Sequence, residues 1–448
     1  MIATEQGSRV KVDREVTAHT GPRPELGPAF YFLAFNLANV FYYLFLLAMA
    51  KGLSAQDYGL FVAMFGIVHL TAAIGNSVQV TLAKFTAELS ALGEEERLGS
   101  LLVAAAARAI GLSLLVALPF LAGAPLLAAF LHSSSPIPIV VGGLVVFLTL
   151  LAPITWGVLQ GWQRFFLLGT ATLLNSVIRL ICGLVLVFAG LGVSGALLGI
   201  GLGLLVSGAV GLGPVRKAAS GRSGKPEMGA VYAYSWPVVI ATIIVATPSS
   251  LDVVLAKHLF AAEQAGIYAA ACVLGKVIVF LPLAATFVVF PKVVRGQAQG
   301  EQTGALLGLS LLITGVLSAV VASVFMFAPS SLFATLLGSD LADAGQILRW
   351  YAPAMFSFAL VIVFVYYNLA AGRTSYVSKV LLPGVLVQIA LWLVGGHSPM
   401  LMAQMTLAGS GLLLLASVLY WWSPWRETKV GAASGTPTGA APLRSSYR

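Results

Sequence analysis

The sequence predicts an all-α polytopic membrane protein with twelve transmembrane helices in two parallel six-helix repeats. The 448-residue chain is 59% hydrophobic and only 9% charged, whereas soluble proteins are about 25% charged. Apolar runs of about 20 residues, long enough to cross a bilayer as helices, recur along the whole chain. The stretch Lys51–Phe61 (KGLSAQDYGLF) is echoed 206 residues later at Lys257–Tyr268 (KHLFAAEQAGIY), which indicates two related halves.

Hydropathy places the spans and divides the chain into lobes. The twelve spans run roughly over residues 28–50, 58–83, 99–122, 137–160, 166–190, 193–213, 231–256, 265–290, 304–327, 345–371, 375–395 and 399–422. We therefore predict an N-terminal cytoplasmic tail at 1–27, an N-lobe at 28–213, a cytoplasmic inter-lobe loop at 214–230, a C-lobe at 231–422 and a disordered cytoplasmic tail at 423–448. Residues 1–27 have no apolar core, so we expect the first span to act as the insertion signal.

Lysine and arginine residues are distributed unequally between the two predicted faces. With the N-terminus inside, 19 of the 25 lie on the cytoplasmic side and only Lys51 and Lys257 lie outside. The other four fall within spans, namely Arg108, Arg179, Lys276 and Arg349. Because short cytoplasmic loops carry the excess of positive charge, both termini are predicted to be cytoplasmic.

The repeat extends beyond the echoed stretches. Spans three and nine end in Ala124-Pro125 and Ala328-Pro329, 204 residues apart, and each is followed by a short sequence typical of an amphipathic surface helix. Spans four and ten end at Gly161 and Gly372, 211 residues apart. Each half has an even number of spans, so both insert the same way up, related by a pseudo-two-fold axis along the membrane normal.

Several classes of function are disfavoured. The basic residues flank spans and form no soluble, aromatic-interleaved surface, so we expect no nucleic-acid partner. Cys182 and Cys272 lie in spans and have neither metal-ligand nor disulfide spacing. The sequence has no nucleophile with its base, no phosphate-binding glycine loop and no loop large enough for a membrane glycosyltransferase, so we expect neither an enzyme nor a metal site.

The motifs resemble one family. The run Asp57–Phe61, its echo ending in Ala265–Tyr268, the run Leu251–Val254 before that echo and Phe290-Pro291 at the end of span eight are similar to the bacterial polysaccharide-transport flippases for O-antigen and exopolysaccharide. The likeness covers residues 28–422. It implies relatedness to the multidrug and toxin extrusion transporters and to the lipid II flippase, within the multidrug/oligosaccharidyl-lipid/polysaccharide exporter superfamily.

The resemblance implies a V-shaped pair of six-helix lobes in the bacterial inner membrane. Their central cavity would move an undecaprenyl-diphosphate-linked oligosaccharide from the inner to the outer leaflet by alternating access, for lipopolysaccharide or exopolysaccharide biosynthesis. Expected partners are the lipid-linked oligosaccharide, membrane lipids, a polysaccharide polymerase and glycosyltransferases. No cofactor is expected beyond a coupling proton or sodium ion.

Basic residues near mid-span are the first candidates for binding the diphosphate, because charges inside spans cost several kcal/mol unless they face a cavity or a partner. Arg179 in span five shares a helical stripe with Thr172, Asn175 and Cys182, and Lys276 in span eight shares one with Tyr268 and Cys272. We predict that Arg179 and Lys276 bind the diphosphate. The alternative is a purely structural pairing of each cation. Arg108 and Arg349 are expected to reach the interfaces.

Asp252 is the one acidic residue well inside a span, just after Pro248. A proline there frees carbonyls that could help coordinate a cation, so Asp252 could couple a proton or a sodium ion. The alternative, which the sequence favours, is an ion pair with Lys257 near the outer surface.

Amide side chains in the first two spans have two interpretations. Asn36, Asn39 and Tyr43 form a stripe in span one, and Asn76 and Gln79 lie in span two. Such groups either join helices or line a cavity, and we assign Asn36, Asn39 and Asn175 to the cavity. His69 in span two is expected to be a packed core residue.

Three other functions compete with the flippase. A multidrug extruder would favour an acidic cavity for cationic drugs, whereas the charges within the spans are basic by four to one. A lipid II flippase stays open, because the sequence does not identify the lipid-linked substrate. A structural scaffold does not explain why the spans retain charges.

Overall fold

The computed structural model describes residues 26–220, 228–279 and 304–422, apart from 372 and 374. Within these ranges the chain is almost wholly helical and contains no strand. Several predicted features lie outside the described residues. They are most of the N-terminal tail, the C-terminal tail at 423–448, residues 280–290 of the eighth span, Pro291 after it, and the loop residues Arg222 and Lys225.

The helices follow the predicted spans closely. They are α1 (Leu26–Gly52), α2 (Ala55–Ala91), α3 (Glu95–Ala122), α4 (Ala124–Phe130), α5 (Ile137–Gly161), α6 (Phe165–Leu186), α7 (Gly192–Val210), α8 (Leu212–Ser220), α9 (Met228–Ala246), α10 (Leu251–Leu259), α11 (Ala262–Val279), α12 (Gly304–Phe327), α13 (Ser330–Leu337), α14 (Ala344–Ala370), α15 (Leu382–Gly395) and α16 (Pro399–Trp422). A π-helical turn joins α6 to α7 and another precedes α15.

Ten helical stretches in the described ranges are long and apolar enough to cross a membrane, and α9 with α10 makes an eleventh, bent span. One of the ten, Phe165–Val210, has 46 residues, which at about 1.5 Å per residue is twice the thickness of a bilayer core. It crosses twice. This confirms the predicted arrangement of twelve spans.

The double crossing turns at Gly190. Its φ of 90° lies in the left-handed region that only glycine adopts freely, and it interrupts the helix between α6 and α7. The two helices then pack against each other: a Cβ on Gly199 would lie 2.6 Å from Gly183 Cα, and one on Gly203 would lie 2.5 Å from Asn175 O. The pairing of early α7 with late α6 makes the hairpin antiparallel.

Span seven is broken where the sequence places Pro248. Helix α9 ends at Ala246, a 3-10 turn covers Thr247–Ser249, and α10 leaves at 47° to α9. The break turns Ser250 toward the N-lobe: a Cβ on Gly66 of α2 would lie 2.9 Å from Ser250 O.

Helix α2 forms a seam between the lobes. Small polar pairs join it to α9, with Ser77 Oγ 2.8 Å from Thr242 Oγ1 and Ser235 Oγ donating to Thr81 Oγ1 at 3.1 Å. The helix runs to Ala91, eight residues beyond the predicted end at 83. An exposed Lys84–Glu88 pair at 3.8 Å suits this extension, because ion pairs at i and i+4 support a helix in water.

The short helices predicted after spans three and nine are present as α4 and α13, and each reaches the other lobe. Helix α4 packs through Phe130 on His258 at the end of α10, and α13 contacts α1. Each therefore covers the first span of the opposite lobe. We call this end of the bundle, formed by α4, α13 and the turns at 51–55 and 257–262, the closed face.

The predicted inter-lobe loop differs from expectation at its start. Residues that were assigned to the loop from 214 onward continue as α8 to Ser220, and α8 packs on α3. The basic residues Arg216 and Lys217 thus lie on a helix beside the N-lobe. The amphipathic sequence explains the difference, since its apolar side finds α3.

Candidate transport cavity

Two cavities lie on either side of one stretch of α2, one within the N-lobe and one between α2 and the C-lobe. The N-lobe cavity encloses about 240 Å³ between α1, α2, α5, α6 and α7. The C-lobe cavity encloses about 220 Å³ between α2, α9, α11 and α14. His69, Ala72 and Asn76, one face of α2 at helical spacing, line both cavities. The two spaces therefore share a wall.

Arg179 lies in the wall of the N-lobe cavity. Only 8% of its surface is exposed, and its Cζ lies 5.7 Å from the centre of the Tyr42 ring, within the range of a cation–π contact. Its Nη2 donates to Asn175 Oδ1 at 3.4 Å, along the stripe that the sequence predicts. Thr172 of that stripe also lines the cavity, so α6 presents a polar face to this space.

Lys276 lies in the wall of the C-lobe cavity and is half-buried. A small pocket beside it is lined by Tyr43, His69 and Ser250, so it connects α1, α2 and α10. His69 Nδ1 lies 3.0 Å from Ser250 Oγ across the lobe boundary. Arg179 and Lys276 thus belong to opposite lobes and flank His69, which lines all three spaces.

The charged residues that the structure places around this site are basic. Among the described residues, no aspartate or glutamate lines the two cavities or the pocket between them. In the described part of the chain the ion pairs are Lys84–Glu88 and Arg97–Glu94, so neither Arg179 nor Lys276 has a carboxylate partner there. Arg179 is buried and Lys276 is half-buried, and a cation inside a span without a counter-charge is costly, so an anionic ligand would offset that cost.

Asp252 lies away from the cavities, in the core of the C-lobe. It is fully buried, and its Oδ2 accepts hydrogen bonds from Tyr351 Oη at 2.6 Å and from Cys272 Sγ at 3.3 Å. Its Oδ1 has no donor among the described residues. The carboxylate is therefore only half satisfied, which is costly inside a membrane protein.

The ion pair of Asp252 with Lys257, the alternative that the sequence favoured, does not form, because Asp252 turns into the lobe core beyond the Pro248 break. The stripe of Tyr268, Cys272 and Lys276 is also divided. Tyr268 and Cys272 are buried in the C-lobe core near Asp252, and only Lys276 reaches the cavity.

The remaining candidates fall into two groups. Asn39 and Asn175 line the N-lobe cavity, whereas Asn36 is exposed, donates to Phe32 O of its own helix at 2.8 Å and is not among the lining residues. Arg108 and Arg349 are exposed outside both cavities. The structure therefore places Asn39, Asn175 and Arg179 around the N-lobe cavity and Lys276 at the C-lobe cavity, whereas Asn36 lines neither.

Sequence reasoning missed His69 and the aromatic residues of the N-lobe cavity, Phe35, Tyr42, Phe65 and Trp156. His69 and Asn76 are seven residues apart and lie on one face of α2, a spacing that could have indicated a polar stripe. The aromatic residues leave no such signal, because an aromatic side chain in a span is as common in the core. In the described ranges no cluster of His, Cys, Asp and Glu side chains could hold a metal ion.

Comparisons with known proteins agree with this architecture. The family model described as "Polysaccharide biosynthesis protein" matches residues 48–344. No curated protein matches the chain by sequence. Among solved structures, a lipid II flippase, MurJ, in an inward closed conformation is similar at TM-score 0.69 and 14% identity, over 89% of this chain and 88% of that one.

Two multidrug-resistance MATE family transporters of the MOP superfamily are also similar in fold. One in an inward-facing conformation gives TM-score 0.71 at 12% identity, over 89% of this chain and 97% of that one. One in an outward-facing conformation gives TM-score 0.60 at 13% identity, over 89% and 95%. At these identities the likeness concerns the fold alone, which is that of a multi-pass transporter.

Proposed function

Because the chain belongs to the family of polysaccharide biosynthesis proteins, whose model covers more than half of it, we propose that it is a flippase for an undecaprenyl-diphosphate-linked oligosaccharide. One observation carries the proposal: in the part of the chain that the structure describes, the cavities are lined by Arg179, Lys276 and His69 and by no carboxylate. A diphosphate is the anionic group of such a lipid, and buried cations favour it strongly.

Arg179 and Lys276 bind the diphosphate in this proposal. The guanidinium is held by Tyr42 and Asn175, so it presents a fixed set of donors to phosphate oxygens. The ammonium of Lys276 adds a point charge from the opposite lobe. Asn39 and Asn175 supply further donors on the N-lobe side, and Asn36 would contribute only if α1 rotates.

Alternating access accounts for the contacts between the lobes that close one end of the bundle. The closed face is sealed by contacts between the lobes, and the fold is more similar to an inward-facing relative than to an outward-facing one. We infer that the closed face is the outer one, as the distribution of lysine and arginine predicts. The lipid would then enter from the inner leaflet, and rocking of the lobes would expose it on the other side.

Asp252 is proposed to couple transport to a proton or sodium gradient. Its half-satisfied carboxylate lies beside the broken span and can gain a proton or a cation at Oδ1. Ser250 lies between the turn at Pro248 and Asp252 in the chain, and it contacts His69 at the shared cavity wall. Ion binding at Asp252 could thereby alter the angle between α9 and α10 and the position of His69.

Two alternative functions differ from the proposed one in the substrate that is transported. A cation extruder of the multidrug type fits poorly, because the cavities carry positive charge. A lipid II flippase remains a second candidate, since lipid II carries the same diphosphate and the fold is similar to that of such a flippase. We propose no enzymatic activity. We also propose that the protein lies in the bacterial inner membrane and works with a polysaccharide polymerase and glycosyltransferases.

Reconstitution tests the function. Purified protein in liposomes should move a fluorescent undecaprenyl-diphosphate-linked oligosaccharide between leaflets, and a quencher outside the vesicles should report the transfer. Arg179→Ala and Lys276→Ala should each slow the transfer by at least about tenfold, the effect of losing about 1.4 kcal/mol of binding. Arg349→Ala is the matched control, since this arginine is exposed outside the cavities. Wild-type transfer by both cavity variants at normal expression would refute the proposed site, and preferred transfer of lipid II would favour the second candidate.

A further inference from the structure

The walls of the two cavities differ in chemistry. The N-lobe wall combines aromatic rings with amides and hydroxyls, namely Phe35, Tyr42, Phe65, Trp156, Asn39, Asn76, Asn175, Thr149, Thr172 and Ser176. The C-lobe wall, apart from Lys276 and the shared α2 residues, is mostly apolar, with Val245, Val279, Met355, Phe358, Ile362, Val365 and Leu369, and it carries two hydroxyl groups, those of Thr242 and Tyr366, but no amide of its own. The N-lobe half therefore holds more of the hydrogen-bonding side chains that a ligand rich in hydroxyl groups needs.

Two donors in the N-lobe wall are left without acceptors. The indole Nε1 of Trp156 and the Nε of Arg179 are buried and find no hydrogen-bond partner among the described residues. An unsatisfied buried donor is destabilising, because it loses its hydrogen bonds to water and gains none in the protein. Both side chains line the cavity, so a small movement could bring each donor to an oxygen-rich ligand and relieve this cost.

We propose that the N-lobe cavity is a saccharide subsite, which binds the sugar attached directly to the diphosphate. This inference rests on the proposed function and specifies where its head group lies. A pyranose presents an apolar C–H face and a rim of hydroxyl groups, so it pairs with an aromatic ring and with side chains that both donate and accept hydrogen bonds. Trp156 supplies a ring, and Asn39, Asn76 and Asn175 supply the amides.

The position of Arg179 connects the subsite to the diphosphate. Its guanidinium lies 5.7 Å from the Tyr42 ring centre and bonds Asn175. A phosphate held by Arg179 therefore brings the first sugar next to Tyr42 and Asn175 and inside the N-lobe cavity. The same sugar placed against the C-lobe wall would meet fewer donors and acceptors, because that wall adds only Thr242, Tyr366 and Lys276 to the shared α2 residues, and each hydroxyl group buried without a partner is unfavourable.

The experiment compares lipids with and without a sugar. Protein in nanodiscs is titrated with undecaprenyl diphosphate and with four lipids that carry one glucose, galactose, N-acetylglucosamine or N-acetylgalactosamine on that diphosphate. We expect the wild type to bind at least one sugar-bearing lipid about tenfold more tightly than the bare lipid. Trp156→Leu should abolish this preference and leave the affinity for the bare lipid within about twofold.

Two further variants make the result specific. Trp156→Phe keeps a ring but lacks the N–H, so it should keep part of the preference. Phe358→Leu is the matched control, because this aromatic residue lines the C-lobe cavity and not the N-lobe cavity, and it should keep all of the preference.

The outcomes separate the subsite from the proposed function. A wild type without preference for any sugar, equal weakening of all lipids by Trp156→Leu, or loss of preference in Phe358→Leu would overturn the subsite while the flippase proposal stands. Failure of wild-type protein to bind any of the diphosphate lipids would overturn the proposed function and the subsite with it.

Discussion

Gly59 of α2 and Gly266 of α11 are in backbone contact at the closed face. A Cβ on Gly59 would stand 2.9 Å from Gly266 N, and a Cβ on Gly266 would overlap Ala55 O. Each glycine is the third residue from the end of its copy of the repeated stretch, Lys51–Phe61 or Lys257–Tyr268. Residues related by a two-fold axis touch each other only beside that axis, so the pseudo-two-fold axis of the protein passes between Gly59 and Gly266.

This contact predicts that Gly59→Ala weakens the closed face. The added methyl group cannot fit without a backbone shift, and over-packing of this kind costs about 1–3 kcal/mol. Spin labels on cysteines at Leu126 of α4 and Ser331 of α13, both exposed, would report the separation of the lobes in a variant without Cys182 and Cys272. We expect the population with the longer distance to rise about tenfold or more.

A control comes from a glycine with free space around it. A Cβ on Gly308 of α12 would meet no atom within 4 Å, so Gly308→Ala should leave the distance distribution unchanged. An unchanged distribution in Gly59→Ala as well would show that the two lobes do not need this close approach.

The stack of Phe130 on His258 predicts a second, weaker clamp on the closed face. The rings are 4.0 Å apart and nearly parallel, and His258 Nδ1 lies 2.8 Å from Phe130 O. Such ring pairs contribute about 0.5–1.5 kcal/mol. His258→Ala and Phe130→Ala should each increase the open population several-fold by the same spin-label measurement, and the double variant should add little to either. Additive effects would mean that the stack does not join the lobes.

Hydropathy and charge were sufficient to predict the spans, the repeat and the α4 and α13 helices, because the bilayer imposes length and polarity on every crossing. They did not predict the break at Pro248, which was noted only as a source of free carbonyls, although a proline cannot continue the hydrogen bonds of a helix. The contact of Gly59 with Gly266 was not predictable, because a repeated glycine in sequence does not reveal which pairs lie at the symmetry axis.

The site was predicted less completely than the fold. Arg179 and Lys276 stood out because charge is rare in spans. His69 did not, since a histidine in an apolar helix has the same sequence context in a packed core as in a cavity wall. Asp252 was assigned to an ion pair from its distance along the chain to Lys257, but the bend at Pro248 turns it toward Tyr351 instead.

Gly190 predicts a stability effect at the α6–α7 turn. With φ at 90°, any residue with a Cβ is strained there, by about 1–2 kcal/mol. We expect Gly190→Ala to lower the midpoint of thermal unfolding in detergent by a few degrees. Gly111→Ala in α3 is the control, because its Cβ would meet nothing within 4 Å, and it should be neutral or slightly stabilising. Equal midpoints for Gly190→Ala and the wild type would show that the turn adapts without cost.

Asp252 predicts the dependence of transport on an ion gradient. An asparagine has nearly the shape of the aspartate and can still accept a hydrogen bond from Tyr351, but it neither exchanges a proton nor offers an anionic oxygen to sodium. Asp252→Asn should therefore fold. In liposomes with an imposed proton or sodium gradient, we expect its gradient-driven flipping to fall at least about tenfold, while flipping down a lipid gradient stays within about twofold.

Two companion variants distinguish coupling from packing. Tyr351→Phe removes the donor to Oδ2 and keeps the carboxylate, so it should keep gradient dependence but shift the ion concentration at half-maximal rate. Asp340→Asn, at an exposed position beside α13, should behave as the wild type. Gradient dependence that survives in Asp252→Asn would exclude this carboxylate as the coupling site. No other acidic side chain in the described ranges is buried inside a span, so Asp252 is the one to test.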